Sequence, residues 1–346
     1  MAPIRLGSWL LALLLLGACA AQPTPAVSPE SKVFTSDVPS EKKPWTHDNF
    51  DNKESNFTFA LFSDLTGGER EGVFNVAIAQ LNLLRPEFIL NVGDLIEGGT
   101  TDNDQLAKEW GSFDQRAGRA RAPVFYTGGN HDLTNPHMWQ VFEQRYGRRY
   151  YYFIYKDTLF LVLDTEDNPP EFQLEIAQIR SEAIAIINKE GWGALSGTAY
   201  GQLTERKSGR IGAEQAAYFR DVIAQNPQVR WTFVLMHKPA WERPDEENFS
   251  TVEAALKGRP YTVFYGHVHS YQYKQRHGRD YIRLATTGGV QDAAKDMAID
   301  HVTLVTVSDA GPDIANLRLS GIFDKTGKIP AGGEKLCFEA ALCGDK

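Results

Sequence analysis

The chain has 346 residues, of which 42% are hydrophobic and 23% are charged, so it can bury a large core as one domain or two small ones. Its formal net charge of −8 argues against a broad nucleic-acid-binding surface, which would require a basic stripe. The same negative charge means that an anionic substrate would need local positive charge, which bound metal could supply.

The first residues form a targeting segment. Arg5 precedes the apolar run Trp9–Leu16, which is too short to span a bilayer as a stable helix. The sequence LGAC at residues 16–19 resembles the processing site of bacterial lipoproteins, which implies a signal peptide over residues 1–18 and a lipid on Cys19. The alternative is an ordinary secretory signal in which Cys19 is incidental. The first interpretation predicts a protein anchored to the membrane of the bacterial cell envelope, facing the periplasm or the exterior.

Composition divides the rest of the chain into a tether, a domain and a tail. Residues 19–56 are rich in Pro, Ser, Lys and Asp without clear periodicity, which is typical of a disordered tether. The globular domain is predicted over residues 57–325, with an insertion at 164–211 over one face of the core. Only two cysteines follow Cys19, and we predict that they pair and pin the tail of residues 326–346; the alternative is two free thiols. These cysteines are Cys337 and Cys343.

Strands alternate with helices over the first half of the domain, which is typical of an α/β fold. The predicted strands are 57–63, 87–92, 123–126, 150–155, 159–163, 229–235, 260–265, 281–286, 299–307 and 314–323. The predicted helices are 72–84, 104–117, 135–146, 172–188, 213–225 and 249–256. Because the last three strands follow one another without a helix, we expect them to form a second sheet.

Metal-ligand side chains stand at the ends of these strands. Carboxylates, imidazoles and an amide oxygen form a mixed ligand set, which suits Zn, Fe or Mn rather than Ca. No cysteine takes part, so a structural zinc site is not indicated. Six candidate ligands exceed the need of one tetrahedral ion and, with bridging, suit two. They are Asp64, Asp94, Asn130, His237, His267 and His269.

Each candidate also has a purely structural interpretation. Asp64 and Asp94 are suitable helix N-caps, and His237 taken alone would more often be a packed core histidine. The stretch from Gly266 to His269 is more specific, because histidines at i and i+2 of an extended segment point to the same side. Two imidazoles aimed in the same direction would repel each other if both were protonated, and metal removes that repulsion. The joint occurrence at strand ends is therefore stronger support for a metal site than any single residue.

The order of these motifs closely resembles that of the calcineurin-like metallophosphoesterases over about residues 57–307. The motifs are Asp64, Gly93–Asp94, Gly129–Asn130–His131–Asp132, His237 and Gly266–His267–Val268–His269. The resemblance implies a four-layer αββα sandwich of α/β class with mixed sheets, and two divalent metal ions. It also implies hydrolysis of phosphate monoesters or diesters through a hydroxide that bridges the metals. Such a pair of ions lowers the pKa of water from ~15.7 toward ~7 and stabilises the in-line transition state.

The same resemblance implies a role for each ligand. Asp94 would bridge both metals, and Asp64 with His269 would complete the first site. The remaining ligands would complete the second site; they are Asn130, His237 and His267.

Catalytic and substrate-binding roles follow from the same resemblance. His131 would face the phosphate and protonate or stabilise the leaving oxygen, with Asn130 beside it, and Asp132 would orient His131. Arg70 is a candidate phosphate clamp, because a guanidinium matches phosphate with two hydrogen bonds. Its alternative is a solvated charge at the start of a helix.

The first motif departs from the family pattern of Asp-x-His, because Asp64 is followed by Leu65 and Thr66. The Thr66 hydroxyl is a poor ligand and is better suited to hydrogen bonding within the turn. Glu69 or water would have to fill the position of the missing imidazole.

This departure supports a second hypothesis, a non-catalytic metal-binding or scaffolding envelope lipoprotein with the same fold. The His131–Asp132 pair argues against it, because a scaffold needs no leaving-group acid. A protease-type zinc hydrolase is not indicated, because the chain has no His-Glu-x-x-His sequence.

Overall fold

The computed structural model describes residues 34–38, 42–48 and 55–343. The predicted signal peptide, the lipidation site Cys19 and much of the tether lie outside the described residues. Within the described ranges, no helix is both long enough and apolar enough to cross a bilayer.

The strands are β1 (Phe34–Ser36), β2 (Phe57–Phe62), β3 (Ile89–Asn91), β4 (Tyr151–Tyr155), β5 (Thr158–Val162), β6 (Trp231–Leu235), β7 (Tyr261–Tyr265), β8 (Gln272–Arg276), β9 (Arg279–Arg283), β10 (His301–Ser308) and β11 (Gly311–Arg318). The helices are α1 (Val73–Leu84), α2 (Asn103–Ala117), α3 (Pro136–Tyr146), α4 (Pro170–Glu190), α5 (Ala199–Gln202), α6 (Ala213–Gln225) and α7 (Asn248–Ala255).

These strands form two mixed sheets. One has seven strands in the order β1-β4-β5-β6-β7-β9-β8, and the other has four in the order β11-β10-β2-β3. The expectation that the late strands form a second sheet is confirmed for β10 and β11, which pair there, but it is wrong for β9. Strand β9 joins the seven-stranded sheet beside β7, whereas β10 pairs with β2 from the start of the domain. The predicted strand 123–126 is only a pair of bridges, because Val124 contacts β3 and Phe125 contacts Trp45.

The two sheets pack face to face and carry helices on their outer faces. On β2, Phe59 and Leu61 point between the sheets, whereas Ala60 and Phe62 point toward α1, α2 and α3. This alternation follows from the two-residue period of a strand that is buried on both faces. Helices α6 and α7 cover the outer face of the seven-stranded sheet. The layers are therefore helix, sheet, sheet and helix, as the resemblance implies.

Aromatic rings fill the space between the sheets. Phe160 of β5 stacks on Phe153 at 4.5 Å between ring centroids and on Phe233 at 5.3 Å, and meets Phe59 edge-on at 5.2 Å. Each fully buried aromatic side chain contributes several kcal/mol of transfer and packing free energy, on the order of 3–5 kcal/mol by truncation to alanine. This rigid layer fixes the relative position of the strand ends that carry the ligands.

The predicted insertion and tail are both tied to the domain. Residues 164–211 contain α4 and α5, and a parallel bridge between Glu166 and Arg210 closes the insertion at its base. In the tail, a disulfide joins Cys337 to Cys343, whose Cα atoms are 5.9 Å apart. The carbonyl of Phe338 accepts a hydrogen bond of 2.8 Å from the Asp300 N–H, which attaches the tail to the start of β10.

Candidate metal centre

The candidate ligands meet where strands of both sheets end. Strands β2 and β3 run parallel in one sheet and β6 and β7 run parallel in the other, so each pair presents its carboxyl ends at the same edge. Two ligand groups result, in each of which the ligand atoms lie within 4.8 Å of one another. The first comprises Asp64, Asp94 and His269, and the second comprises Asp94, His237 and His267. Asp94 belongs to both groups, which is the position expected of a bridging carboxylate.

Asn130 and His131 lie at this same centre. The amide oxygen of Asn130 is 3.1 Å from Nε2 of His237, which places it beside the second group. The backbone N–H of His131 donates a hydrogen bond of 2.9 Å to Oδ1 of Asp94. The structure therefore brings together all six predicted metal ligands and the predicted leaving-group acid.

Backbone carbonyls hold all four imidazoles by one ring nitrogen each. A ring nitrogen that donates to a carbonyl carries the proton, so the other nitrogen of a neutral ring offers a lone pair toward the centre. The contacts are His131 Nδ1 to Glu97 O at 2.8 Å, His237 Nδ1 to Val92 O at 2.8 Å, His267 Nε2 to Arg206 O at 2.6 Å, and His269 Nδ1 to Val290 O at 2.6 Å. The tautomers are thereby selected for ligation through Nε2 of His237 and His269 and through Nδ1 of His267.

Buried negative charge dominates the electrostatics of the centre. Asp64 is fully buried and Asp94 is 2% exposed. Burial alone would raise the pKa of Asp94, but His237 and His131 outweigh it and hold that pKa well below its usual range. Burial likewise opposes the charged form of His237, yet Asp94 raises the pKa of His237 to about 9. Two buried carboxylates with one amide oxygen and three imidazoles are a donor set that fits two divalent cations of the Zn, Fe or Mn type.

Four ligands adopt left-handed backbone conformations, with φ of 45° at Asp64, 58° at Asp94, 76° at His267 and 59° at His269. Such conformations are uncommon outside glycine and cost on the order of 1–3 kcal/mol each. Asp, Asn and His tolerate them better than most residues. The strain turns each side chain sharply off its strand into the centre.

Glycines precede the ligands because the backbone passes too close for a side chain. A Cβ on Gly129 would lie 2.4 Å from Oδ1 of Asp94 and 2.9 Å from the ring of His237. A Cβ on Gly266 would lie 2.4 Å from Oδ2 of Asp64. The two motif glycines are therefore required for the carboxylates to reach their positions.

Thr66 and Glu69 do not replace the missing imidazole of the first motif. The Thr66 hydroxyl donates to the carbonyl of Ile96 at 2.8 Å, which is the turn-stabilising role expected from the sequence. Glu69 forms an ion pair with Arg116. Neither side chain points its oxygen at the ligand groups.

Glu97 organises the first-motif loop, a role that no local sequence pattern predicts. Its carboxylate accepts hydrogen bonds from the N–H groups of residues 67, 68 and 69 at 3.2, 2.9 and 2.9 Å. Its carbonyl holds His131, so one residue links the loop after Asp64 to the leaving-group acid. The sequence signal is a carboxylate three residues after Asp94, but its partners lie about thirty residues away, where no local pattern points to them.

Asp132 does not orient His131, contrary to the expectation from the resemblance. Its Oδ1 accepts from the N–H groups of Leu95 and Ile96 at 2.9 and 3.0 Å, and its Oδ2 accepts from Gly129 N–H at 2.8 Å. Burial and the nearby charge of Asp94 raise the pKa of Asp132 to about 8, although these three donors oppose the rise. Asp132 therefore fixes the two loops that carry Asp94 and Asn130.

The prediction that Arg70 clamps a phosphate is not supported, because its guanidinium is already engaged. Nη2 donates to both oxygens of Asp300 at 2.6 and 2.7 Å, Nε donates to Gly289 O at 3.0 Å, and Nη1 donates to Cys337 O at 3.1 Å. The solvated-charge alternative is not supported either. Gly289 N–H in turn donates to Asp64 O at 2.9 Å, so Arg70 braces the first ligand group.

The sequence matches the family described as calcineurin-like phosphoesterase over residues 57–271. No curated protein matches the chain significantly in sequence. Among solved structures, the chain is similar to purple acid phosphatase PPD1 from yellow lupin seeds, with a TM-score of 0.53 and 13% identity over 79% of this chain and 53% of that one. It is also similar to PhoD, with a TM-score of 0.50 and 12% identity over 75% of this chain and 68% of that one. At such identity these likenesses show a shared fold.

We predict that Gly129→Ala lowers the affinity for divalent metal by roughly 100-fold, because the new Cβ would displace Asp94 and His237. Metal bound per chain after equilibrium dialysis measures this loss. Gly111→Ala in α2 is the matched control, because a Cβ there meets nothing within 4 Å. Unchanged metal affinity in Gly129→Ala, with the fold intact by circular dichroism, would contradict the site.

We also predict that Arg70→Ala costs about 3–5 kcal/mol of unfolding free energy, because it leaves Asp300 buried without its counterion. Burial raises the pKa of Asp300 to about 6 although Arg70 lowers it, so the folded pKa lies above the unfolded one. Stability from this group is therefore lost as pH rises through about 6, and the deficit of Arg70→Ala is larger at pH 8 than at pH 5.

Urea unfolding at both pH values tests this prediction. Arg318→Ala breaks the exposed pair with Glu339 and should cost at most about 1 kcal/mol. An Arg70→Ala deficit no larger than that of the control, or one independent of pH, would show that Arg70 does not stabilise the loop through Asp300.

Proposed function

The chain belongs to the calcineurin-like phosphoesterase family, and we propose from this premise that it hydrolyses phosphate monoesters or diesters with two divalent metal ions. One observation carries the proposal: Asp94 is shared by two ligand groups, and its Oδ1 accepts the backbone N–H of His131. A shared carboxylate would hold two ions close together, and His131 lies beside Asp94 with one ring nitrogen that is not bonded to the backbone.

The ligand groups divide the residues between the ions. Asp64 and His269 would hold one ion, and Asn130, His237 and His267 would hold the other, with Asp94 common to both. When bound, two divalent ions supply positive charge for the phosphate oxygens and acidify the attacking water. This charge also resolves the conflict between an acidic chain and an anionic substrate.

His131 is the residue placed to move a proton. Its Nδ1 is held by the Glu97 carbonyl, so Nε2 is the nitrogen that meets the substrate. Burial lowers the pKa of His131, although Asp94 opposes the shift. An arriving phosphate adds negative charge, which favours the imidazolium and lets Nε2–H donate to the leaving oxygen.

A second candidate is a non-catalytic metal-binding or scaffolding lipoprotein of the same fold, and Thr66 in place of an imidazole ligand is the observation that favours it. Metal analysis together with turnover separates the two candidates. Two equivalents of metal with hydrolysis support the enzyme, and bound metal without hydrolysis of any phosphate ester in a broad panel supports the scaffold.

We expect Asp94→Ala to abolish turnover of aryl phosphate esters, because it removes the carboxylate common to both ligand groups. His131→Ala should lower kcat by roughly 10²–10⁴-fold while bound metal is retained, because only the proton donor is lost. Assays of purified protein with Mn, Fe or Zn, and with chelator as the blank, measure both effects. His277→Ala on the exposed surface is the control. The assignment fails if Asp94→Ala hydrolyses the esters at the wild-type rate.

We further propose that the protein is anchored to the bacterial envelope by a lipid on Cys19. Support comes from the LGAC sequence at residues 16–19 after a short apolar run. Expression of full-length Cys19→Ser should move the protein from the membrane fraction to the soluble fraction and abolish labelling by a fatty-acid analogue. Retention of Cys19→Ser in the membrane, with wild-type labelling, would rule out this anchor.

A further inference from the structure

The insertion places an arginine beside the loop that holds His131. Arg180 lies in the middle of α4, and its side chain is half-buried. Its Nη1 is 2.5 Å from the point where a Cβ of Gly99 would stand, and Gly99 has a left-handed backbone with φ of 68°. The guanidinium therefore lies directly on the Gly99 backbone, in space that any side chain at this position would fill.

The segment from Glu97 to Gly99 connects this guanidinium to His131. The Glu97 carbonyl holds Nδ1 of His131, and a Cβ on Gly98 would lie 1.9 Å from the His131 carbonyl oxygen. The N–H of Gly98 donates to the carboxylate of Glu109 at 2.8 Å, which fixes the segment from the opposite side. Because two residues span at most about 7 Å, the guanidinium and the imidazole both contact one short, anchored turn.

Arg180 has no counterion among the described residues: no ion pair or side-chain hydrogen bond joins its guanidinium to any of them. Three other arginines near the centre are paired: Arg70 with Asp300, Arg149 with Asp164 and Arg243 with Glu205. Carboxylates outnumber Lys and Arg by 44 to 36 in this chain, so an unpaired half-buried cation is unusual. Such a guanidinium is available to bind an anionic ligand.

The position of Arg180 also bears on the proposed reaction. An anion that lies against Nε2 of His131 would be attracted by the guanidinium held on the adjoining turn.

We propose that Arg180 binds the phosphoryl oxygens of the substrate beside His131, and that the enzyme consequently prefers phosphate monoesters to diesters. This inference rests on the proposed phosphoesterase function. A monoester carries about −1.5 to −2 charges at neutral pH and presents three terminal oxygens, whereas a diester carries one charge and presents two. A fixed guanidinium matches a pair of terminal oxygens and stabilises the more highly charged group more strongly. In this proposal, Arg180 of the insertion binds the substrate phosphate, whereas the guanidinium of Arg70 is engaged with Asp300.

Steady-state kinetics of the full chain with an aryl phosphate monoester and the corresponding diaryl phosphate test the proposal. Arg180→Ala should lower kcat/KM for the monoester by roughly 10–100-fold, the range expected for hydrogen bonds to a charged group, and for the diester by less than about 3-fold. Arg180→Lys should recover part of the loss, because it restores the charge without the planar fork. Inhibition by inorganic phosphate should weaken in parallel with the monoester kinetics.

Lys189→Ala is the matched control, because it removes a positive charge from the exposed end of the same helix. It should leave both substrates and phosphate inhibition unchanged. Bound metal and melting temperature, measured for every variant, separate a binding defect from a folding defect. If Arg180→Ala retains monoester kcat/KM within about 2-fold, or loses both substrates equally, the proposal is wrong.

Phosphate binding provides a readout that does not depend on turnover. Titration calorimetry of the metal-loaded protein with inorganic phosphate should show weaker binding in Arg180→Ala than in wild type or Lys189→Ala. If wild type binds phosphate through Arg180 yet hydrolyses neither ester, the proposed enzyme function fails while the phosphate contact stands. Equal phosphate affinity in wild type and Arg180→Ala overturns the contact itself.

Discussion

The burial of Asp64 and Asp94 side by side is the constraint to which the rest of the centre responds. Two carboxylates removed from water repel each other, and each costs several kcal/mol unless positive charge lies close by. His237 and the His131 backbone N–H contact Asp94, and the His267 backbone N–H contacts Asp64 at 3.0 Å. These few donors balance part of the charge, and the divalent cations of the proposed site would balance the remainder. Metal binding would therefore also stabilise the strand ends, because it would reduce the repulsion between the two carboxylates.

The backbone, rather than long side chains, positions the ligands around the two buried carboxylates. Parallel strands from both sheets end at the same edge, left-handed turns direct the ligands inward, and glycines let the loops approach the carboxylates. Four backbone carbonyls then select the ring nitrogen that each imidazole presents. Carbonyls in fixed loops lose no side-chain entropy when they make these contacts, so the centre is preorganised by the rigid aromatic layer beneath it.

Local patterns in the sequence predict many of the helices and strands and all six candidate ligands. Helix α6 has the predicted bounds, and the ligands follow strands at positions that apolar runs mark. Sheet membership and contacts between residues far apart in the sequence could not be predicted from local patterns. Strand β8 was missed because four of its five residues are polar, QYKQR, and its side chains lie largely at the surface of a sheet edge. The contacts of Arg70 and Asp132 could not be predicted from local patterns, because Asp300 and the Leu95 backbone become their neighbours only after the sheets pack.

The two ligand groups are braced by parts of the chain that lie outside the strands carrying the ligands. The Arg70–Asp300 pair and the tail brace the first group through Gly289. The insertion braces the second, because the Arg206 carbonyl holds Nε2 of His267 and thereby leaves Nδ1 to face the centre. The same insertion carries Arg180 to the His131 loop. If Arg180 binds substrate as proposed, one segment both fixes a ligand and supplies a substrate cation. Changes in the insertion would then alter metal binding and substrate choice together, even though the strands and their ligands stay the same.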